Sequence, residues 1–176
     1  ERKAFMCDMI LTELEDVVGV ENVSTSKSDR AAYGVDYFWI GRMWVDRGEK
    51  PPMPDWIVRP GSSVEVSKIL KIANYYKIPV NIWGGGSGSQ GGALPMAGGI
   101  MMDMKRMNHL IEMDEVSRTI TAEAGMIFQQ LEWYANERGY SCQHPLALLD
   151  LGPMPGPSAS ARAPGNRNHV HQVRQN

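Results

Sequence analysis

An α/β fold follows from three stretches of this chain. "DWIVRP" and "IPVNIW" are short β-branched or aromatic runs, and "GSSVEVSKILKIANYYK" between them carries apolar residues at helical spacing. Strand, helix and strand within about 30 residues is the βαβ pattern, which makes the two strands parallel. The third stretch, "NIWGGGSGSQGGALPMAGG" at 81–99, packs eight glycines into one connection. It leaves the carboxyl end of the second strand, where α/β folds bind ligands.

Each element has its own signal. Residues 3–17 place Phe5, Met6, Met9, Ile10 and Leu14 at helical spacing, predicting an amphipathic helix. The stretch "GVENVSTSKSDRAAYGVDYFWIGRMWVDRGEKPPMP" is turn-rich and then aromatic, and is expected to be irregular with its Trp and Tyr rings used for packing. Pro60 stops the first strand. Ser62 and Glu65 stand at capping-box spacing and start a helix with Val66, Ile69, Leu70 and Ala73 on one face. After the glycines, "GGIMMD" predicts a strand. "TITAEAG" predicts another, with Thr119, Thr121 and Glu123 alternating against Ile120, Ala122 and Ala124. "GMIFQQLEWYANERGY" predicts a helix with Ile127, Leu131 and Tyr134 on one face, closed by Gly139. Met101, Met102, Met104 and Met107 are adaptable core filler. Beyond His144 the periodicity fails, with four prolines in the last 24 residues, and a disordered tail is expected.

Composition narrows the function. At 176 residues the chain holds one domain or two small subdomains. All 20 acidic residues and 15 of the 18 basic ones precede position 151, so the body is acidic and unsuited to a general grip on nucleic acid. No apolar run approaches the roughly 20 residues of a membrane-spanning helix, and no signal peptide opens the chain. Cys7 and Cys142 form no CxxC and are expected to be free thiols in a reducing compartment, the cytoplasm. The opening "ERKAF", without Met, suggests a trimmed chain or a fragment.

Three readings compete for the glycine stretch. As a Gly/Ser linker it should separate two domains, yet strand-like runs abut it on both sides. A Walker A loop needs a Lys on the phosphates, and none lies between Lys77 and Lys105. Gly86, Gly88 and Gly91 fit GxGxxG, but that fingerprint works by opening a helix, and "GGALPMAGG" follows instead. The remaining reading keeps the anion and drops the helix. Successive glycine amides curve into a nest for a diphosphate, Ser87 and Ser89 add hydroxyl donors, and absent side chains let the ligand approach the backbone.

The run from "PDWIVRP" through "IPVNIWGGGSGSQGGA" and "GGIMMDMKRMNHLIEMD" to "TITAEAG" and "LEWYANERGY" closely resembles the FAD-binding domain of the FAD-linked oxidases. This is the vanillyl-alcohol oxidase/PCMH type, which includes D-lactate dehydrogenases, alkylglycerone-phosphate synthase and a glycolate oxidase subunit. The resemblance covers residues 28–143. It implies an α/β (α+β) domain of two subdomains, here the first βαβ subdomain with the start of the second. It also implies noncovalent FAD, because no attachment motif for a flavin is visible. The amides of Gly84, Gly85, Gly86, Ser87, Gly88 and Ser89 would hold the diphosphate, with Gln90 and Gly91 at its edge and Gly125 on the flavin side. Trp83 stands where many members carry a basic residue. The complete enzyme would oxidise a small hydroxy-acid or alcohol substrate and pass electrons to an acceptor. No residue is assigned as catalytic acid or base.

On this reading residues 1–50 are an N-terminal helix and irregular segment, 51–143 an incomplete FAD-binding domain, and 144–176 an unmatched tail. The family's "TxGG" loop does not follow the "GY" helix, so a truncated or frameshifted frame is expected after His144, and the fragment alone would be inactive. An NAD-binding Rossmann enzyme stays as a rival, requiring a helix directly after Gly91. His169 and His171 form HxH, but a metal site needs three or four convergent ligands. Cys142 and His144 are too close in sequence to face each other as nucleophile and base, and His109 is expected in a turn.

Overall fold

The computed structural model describes residues 2–88, 90–141, 166–169 and 171–172. Its first sheet has four strands in the order β1 (Val23–Ser24), β2 (Trp56–Val58), β4 (Ile100–Asp103), β3 (Val80–Trp83). β2, β4 and β3 run parallel and β1 pairs antiparallel at the edge. The two strands of the predicted βαβ unit are therefore parallel but not neighbours, because β4 inserts between them.

The residue runs explain the burial. All three residues of β2 and all four of β4 are buried, as expected of parallel strands covered on both faces. Alternation divides them. Trp56, Val58, Ile100 and Met102 join Ile10, Leu14 and Val18 of helix α1 (Arg2–Val18) and Ile69 and Ala73 of helix α4 (Ser63–Tyr76) in one core. Ile57, Met101 and Trp83 meet Tyr33 on the other side. Met104 and Met107 are buried with the first group, so all four expected methionines fill cores.

Helix α4 begins as its sequence specifies. Ser62 Oγ accepts from the Glu65 amide at 3.2 Å, and the Glu65 carboxylate reaches back to the Gly61 amide at 2.7 Å. Its expected face needs one correction, since Leu70 is largely exposed while Ile69 and Ala73 are buried. Helix α1 likewise packs through Ile10, Leu14 and Val18, leaving Phe5, Met6 and Met9 exposed. Periodicity names the apolar positions of a helix, and the neighbour's extent decides which of them are covered.

The stretch expected to be irregular contains two helices, α2 (Lys27–Ala32) and α3 (Trp39–Asp46). Ser26 caps α2 by accepting from the Asp29 amide, and Ser24 Oγ donates to Asp29 at 2.6 Å. That second bond, above all, holds the Asp29 carboxyl below its ordinary range. The aromatic packing expected here fails for Tyr37 and Trp39, which are exposed.

A second layer follows. β5 (Leu110–Asp114) and β6 (Thr119–Ala122) pair antiparallel around a tight turn, where Asp114 Oδ1 accepts the Val116 and Ser117 amides. Helix α5 (Phe128–Asn136) covers this sheet with Leu131 and Ala135, which pack with Ile120, Ala122 and Met126. Ile127 and Tyr134, expected on that face, are exposed.

Within the expected tail, β8 (Asn166–His169) pairs antiparallel with β6, and β9 (His171–Gln172) with β7 (Tyr140–Ser141). Those six residues are thus not disordered as expected. Sheet ladders are made by backbone groups, and a polar sequence without periodicity does not forbid them. Residues 142–165, which include Cys142, His144 and all the prolines of the tail, lie outside the described residues.

Candidate functional site

The chain passes from the carboxyl end of β3 to the start of β4 over residues 84–99, with no helix among the described residues of that span. Parallel neighbours need a long crossover, usually a helix. Here the glycine loop is the crossover, and the next regular element after Gly91 is strand β4. The Rossmann rival, which needs a helix at that point, is discarded.

Specific contacts fold the loop. Gly86 has φ +67°, and a Cβ there would run into the indole of Trp83. Gly91 has φ +72°, and a Cβ would lie 2.7 Å from the Phe38 ring. Both positions need glycine for conformation and for space. The Tyr37 amide donates to the Gly86 carbonyl at 2.8 Å, so residues 36–38 lie along the loop. Its far end is anchored by Asn81 Nδ2, which donates to the Leu94 carbonyl at 3.1 Å, and by the Gly99 amide, which donates to Asp55 at 2.8 Å. Gly98 and Gly99 also take positive φ where the chain turns into β4.

Between these anchors the loop has unspent donors. Among the described residues, no protein hydrogen bond uses the amides of Gly86, Ser87 or Gly88, and Ser87 Oγ is buried without a partner. Nothing lies within 4 Å of a Cβ placed on Gly88. Free glycine amides, an orphan hydroxyl and open space are what a diphosphate requires, so these residues fit one. Gly84 and Gly85 lead into this segment and Gln90 stands exposed at its far edge. Ser89 lies outside the described residues.

Trp83 and Gly125 are placed differently. The Trp83 side chain is buried and meets Tyr33 edge-on with ring centroids 5.0 Å apart, so it forms the floor of the loop. Gly125 sits in the turn between β6 and α5. Its amide donates to the Met107 carbonyl at 2.8 Å, and a Cβ there would collide with the Met104 carbonyl. Its amide is committed to the fold. A cavity of about 420 Å³ adjoins it, lined by Met126 with Asn108, Gln130, Trp133, Tyr134 and Glu137.

Sequence reasoning missed the charged cluster under the strand ends. Asp103 closes β4 in register with Trp83 and is fully buried. Its carboxylate accepts from Tyr33 Oη at 2.6 Å and from the Lys105 amide at 3.1 Å. Lys105 Nζ at 3.5 Å and Arg59 Nε at 3.8 Å supply positive charge. These two cations compensate the buried Asp103 carboxylate, which would otherwise be costly to hold at the strand ends. Burial, and then the bond to Asp103, push the Tyr33 hydroxyl up to about 12. A lone acid ending the apolar run "IMMD" was the available signal.

Other candidates carry less. His109 is exposed, and its amide and Nδ1 both meet Glu123 Oε2, at 2.9 and 2.7 Å. No group of three or more metal-ligating side chains exists among the described residues, and the side chains of His169 and His171 lie outside them. No helix among the described residues is long and apolar enough to cross a membrane.

Known proteins resemble this chain in sequence and in fold. A family model described as an FAD binding domain matches residues 54–173, continuing past the residues that carry the resemblance in sequence. Glycolate oxidase subunit GlcD of Bacillus subtilis is 31% identical over 115 residues, covering 65% of this chain and 23% of the relative. D-lactate dehydrogenase [cytochrome] 1 of Saccharomyces cerevisiae is 32% identical over 157 residues, covering 86% of this chain and 24% of the relative. A solved structure of alkyldihydroxyacetonephosphate synthase superposes with a TM-score of 0.70 at 25% identity, over 78% of this chain and 26% of that one. The chain therefore spans about a quarter of the length of the relatives it matches. With the glycine crossover, the parallel sheet and the family match in agreement, the chain belongs to the FAD-binding domain family of the PCMH-type FAD-linked oxidoreductases, and its cofactor is FAD.

Proposed function

We propose that residues 84–91 hold the diphosphate of noncovalently bound FAD, as part of an enzyme that oxidises a small hydroxy-acid or alcohol substrate. One observation carries the assignment of the loop. Its central amides and the Ser87 hydroxyl have no protein partner among the described residues, although they sit at the carboxyl ends of parallel strands. The gripping segment falls within residues 51–143, with Gly84, Gly85, Gly86, Ser87, Gly88 and Ser89 on the diphosphate. Gln90 and Gly91 border it, Trp83 supports it from below, and Gly125 lies toward the flavin.

Bound FAD supplies the two-electron chemistry, and the protein supplies binding and electrostatics. Names among the relatives, a glycolate oxidase and a D-lactate dehydrogenase, favour a 2-hydroxy acid as substrate. Electrons then leave to an acceptor or partner protein. A free thiol at Cys7 suits a reducing compartment such as the cytoplasm.

Purified protein should be yellow, with flavin absorbance near about 450 nm that separates from the polypeptide on denaturation. Flavin that stays with the denatured chain would overturn the noncovalent assignment. Colourless protein that takes up no added FAD would favour the rival reading, a truncated or frameshifted remnant without catalysis.

A further inference from the structure

Among the described residues, two buried side-chain atoms lack any hydrogen-bond partner, Asp36 Oδ2 and Ser87 Oγ. They belong to segments far apart in sequence that meet at one backbone bond. The Tyr37 amide donates to the Gly86 carbonyl at 2.8 Å, and each orphan stands one residue from that bond. The carboxylate is held in place, because Asp36 Oδ1 accepts the Phe38 amide at 2.9 Å while Phe38 packs on Gly91. A fixed carboxylate with one unpaired, buried oxygen is costly unless a donor meets it.

The chemistry of the pair selects the ligand group. An ionised carboxylate only accepts, whereas a serine hydroxyl donates and accepts. A diphosphate carries no proton to give and would be repelled by Asp36. A sugar-type hydroxyl satisfies both orphans at once, donating to Asp36 and accepting from Ser87. FAD carries such hydroxyls on either side of its diphosphate, on the ribityl chain and on the adenosine ribose.

We infer that Asp36 and Ser87 together form a hydroxyl-binding subsite for the sugar part of the dinucleotide, on the edge of the diphosphate loop. The subsite rests on the reading of residues 84–91 as that loop. Asp36 supplies the charge-assisted acceptor and fixes the register of the dinucleotide along the loop. A bound hydroxyl also relieves the unpaired, buried Asp36 oxygen.

The test titrates FAD and ADP into the 176-residue chain and into its Asp36→Asn and Ser87→Ala variants. Asp36→Asn keeps the acceptor for the Phe38 amide and removes the charge. Melting without ligand confirms that each variant is folded, and Asp36→Ser, which keeps a short acceptor and removes the charge, carries the test if Asp36→Asn does not fold. FAD affinity should fall about 10-fold in either variant, the worth of one charge-assisted bond. The double variant should lose less than the product of the two, because one hydroxyl is shared. An equal loss for ADP places the hydroxyl on the ribose, and a loss for FAD alone places it on the ribityl chain. Either result supports the subsite when it appears in Asp36→Asn, whereas a loss confined to Ser87→Ala would reflect the diphosphate contact and overturn the subsite. FAD affinity within about twofold of the parent in the Asp36 variant would overturn it and leave the loop reading intact. Failure of the parent chain to bind FAD or ADP would overturn the loop reading and this inference with it.

Discussion

Two crossovers return the chain to the start of the same parallel sheet, one by a helix and one by glycines. Helix α4 carries the chain from β2 to β3, bonds its own amides, caps its end with Ser62 and buries Ile69 and Ala73. Residues 84–99 carry it from β3 to β4 with no helix among the described residues, and leave amides and a hydroxyl at 86–88 without protein partners there. A helix spends its backbone donors internally and contributes stability through one apolar face. The glycine crossover forgoes that stability and keeps its donors for a ligand. Loss of packing should therefore separate cleanly from loss of binding.

The largest effect is expected from breaking the loop's conformation. Gly86→Val puts a branched side chain at φ +67° and into the Trp83 indole, so FAD binding should weaken by about 100-fold or more in a titration. Ile69→Ala, on the helical side, should cost about 2–5 kcal/mol in denaturant unfolding while the folded fraction still binds FAD with parental affinity. If Ile69→Ala and Gly86→Val shift stability and binding alike, the division between the crossovers is wrong.

The cluster beneath the loop tests the boundary between the two. Tyr33→Phe removes the hydroxyl that Asp103 accepts from and should destabilise by about 1–3 kcal/mol. It also changes the alkaline limb of a stability profile. The folded-state value of about 12 for Tyr33 lies above the ordinary value of 10.0, so folding favours the protonated hydroxyl. That contribution is complete below pH 10 and is lost as pH rises toward about 12. Tyr33→Phe should fall less steeply over that window than the parent. Tyr76, raised to about 12 chiefly by its bond to Glu13, retains its own contribution in both proteins. An unchanged slope would remove Tyr33 from the account. Ser62→Ala gives the smallest effect, about 1 kcal/mol from a lost helix cap, with no change in FAD affinity.

Much of this was legible because local rules sufficed. Ser62 with Glu65 marked the start of α4, the βαβ spacing gave parallel strands, and Pro95 with the glycines around it excluded a helix after Gly91. Other features were illegible for a common reason. Nothing in "DRAAYGVDYF" announces that Tyr33 bonds Asp103, 70 positions away, or that Tyr37 meets Gly86. The insertion of β4 between β2 and β3 and the pairing of β8 with β6 are likewise long-range, and the spacing of apolar residues is silent about them.

The sequence by itself determined the fold class, the position of the glycine loop and the kind of ligand it suits, since glycine content, capping and strand spacing are local properties of the chain. Only the tertiary structure decided which residues stand around that loop. Trp83 became its floor, the amide of Gly125 was committed to Met107, and Tyr37 was bonded to the Gly86 carbonyl. Those placements depend on strand order and packing, which join residues that chain connectivity keeps far apart.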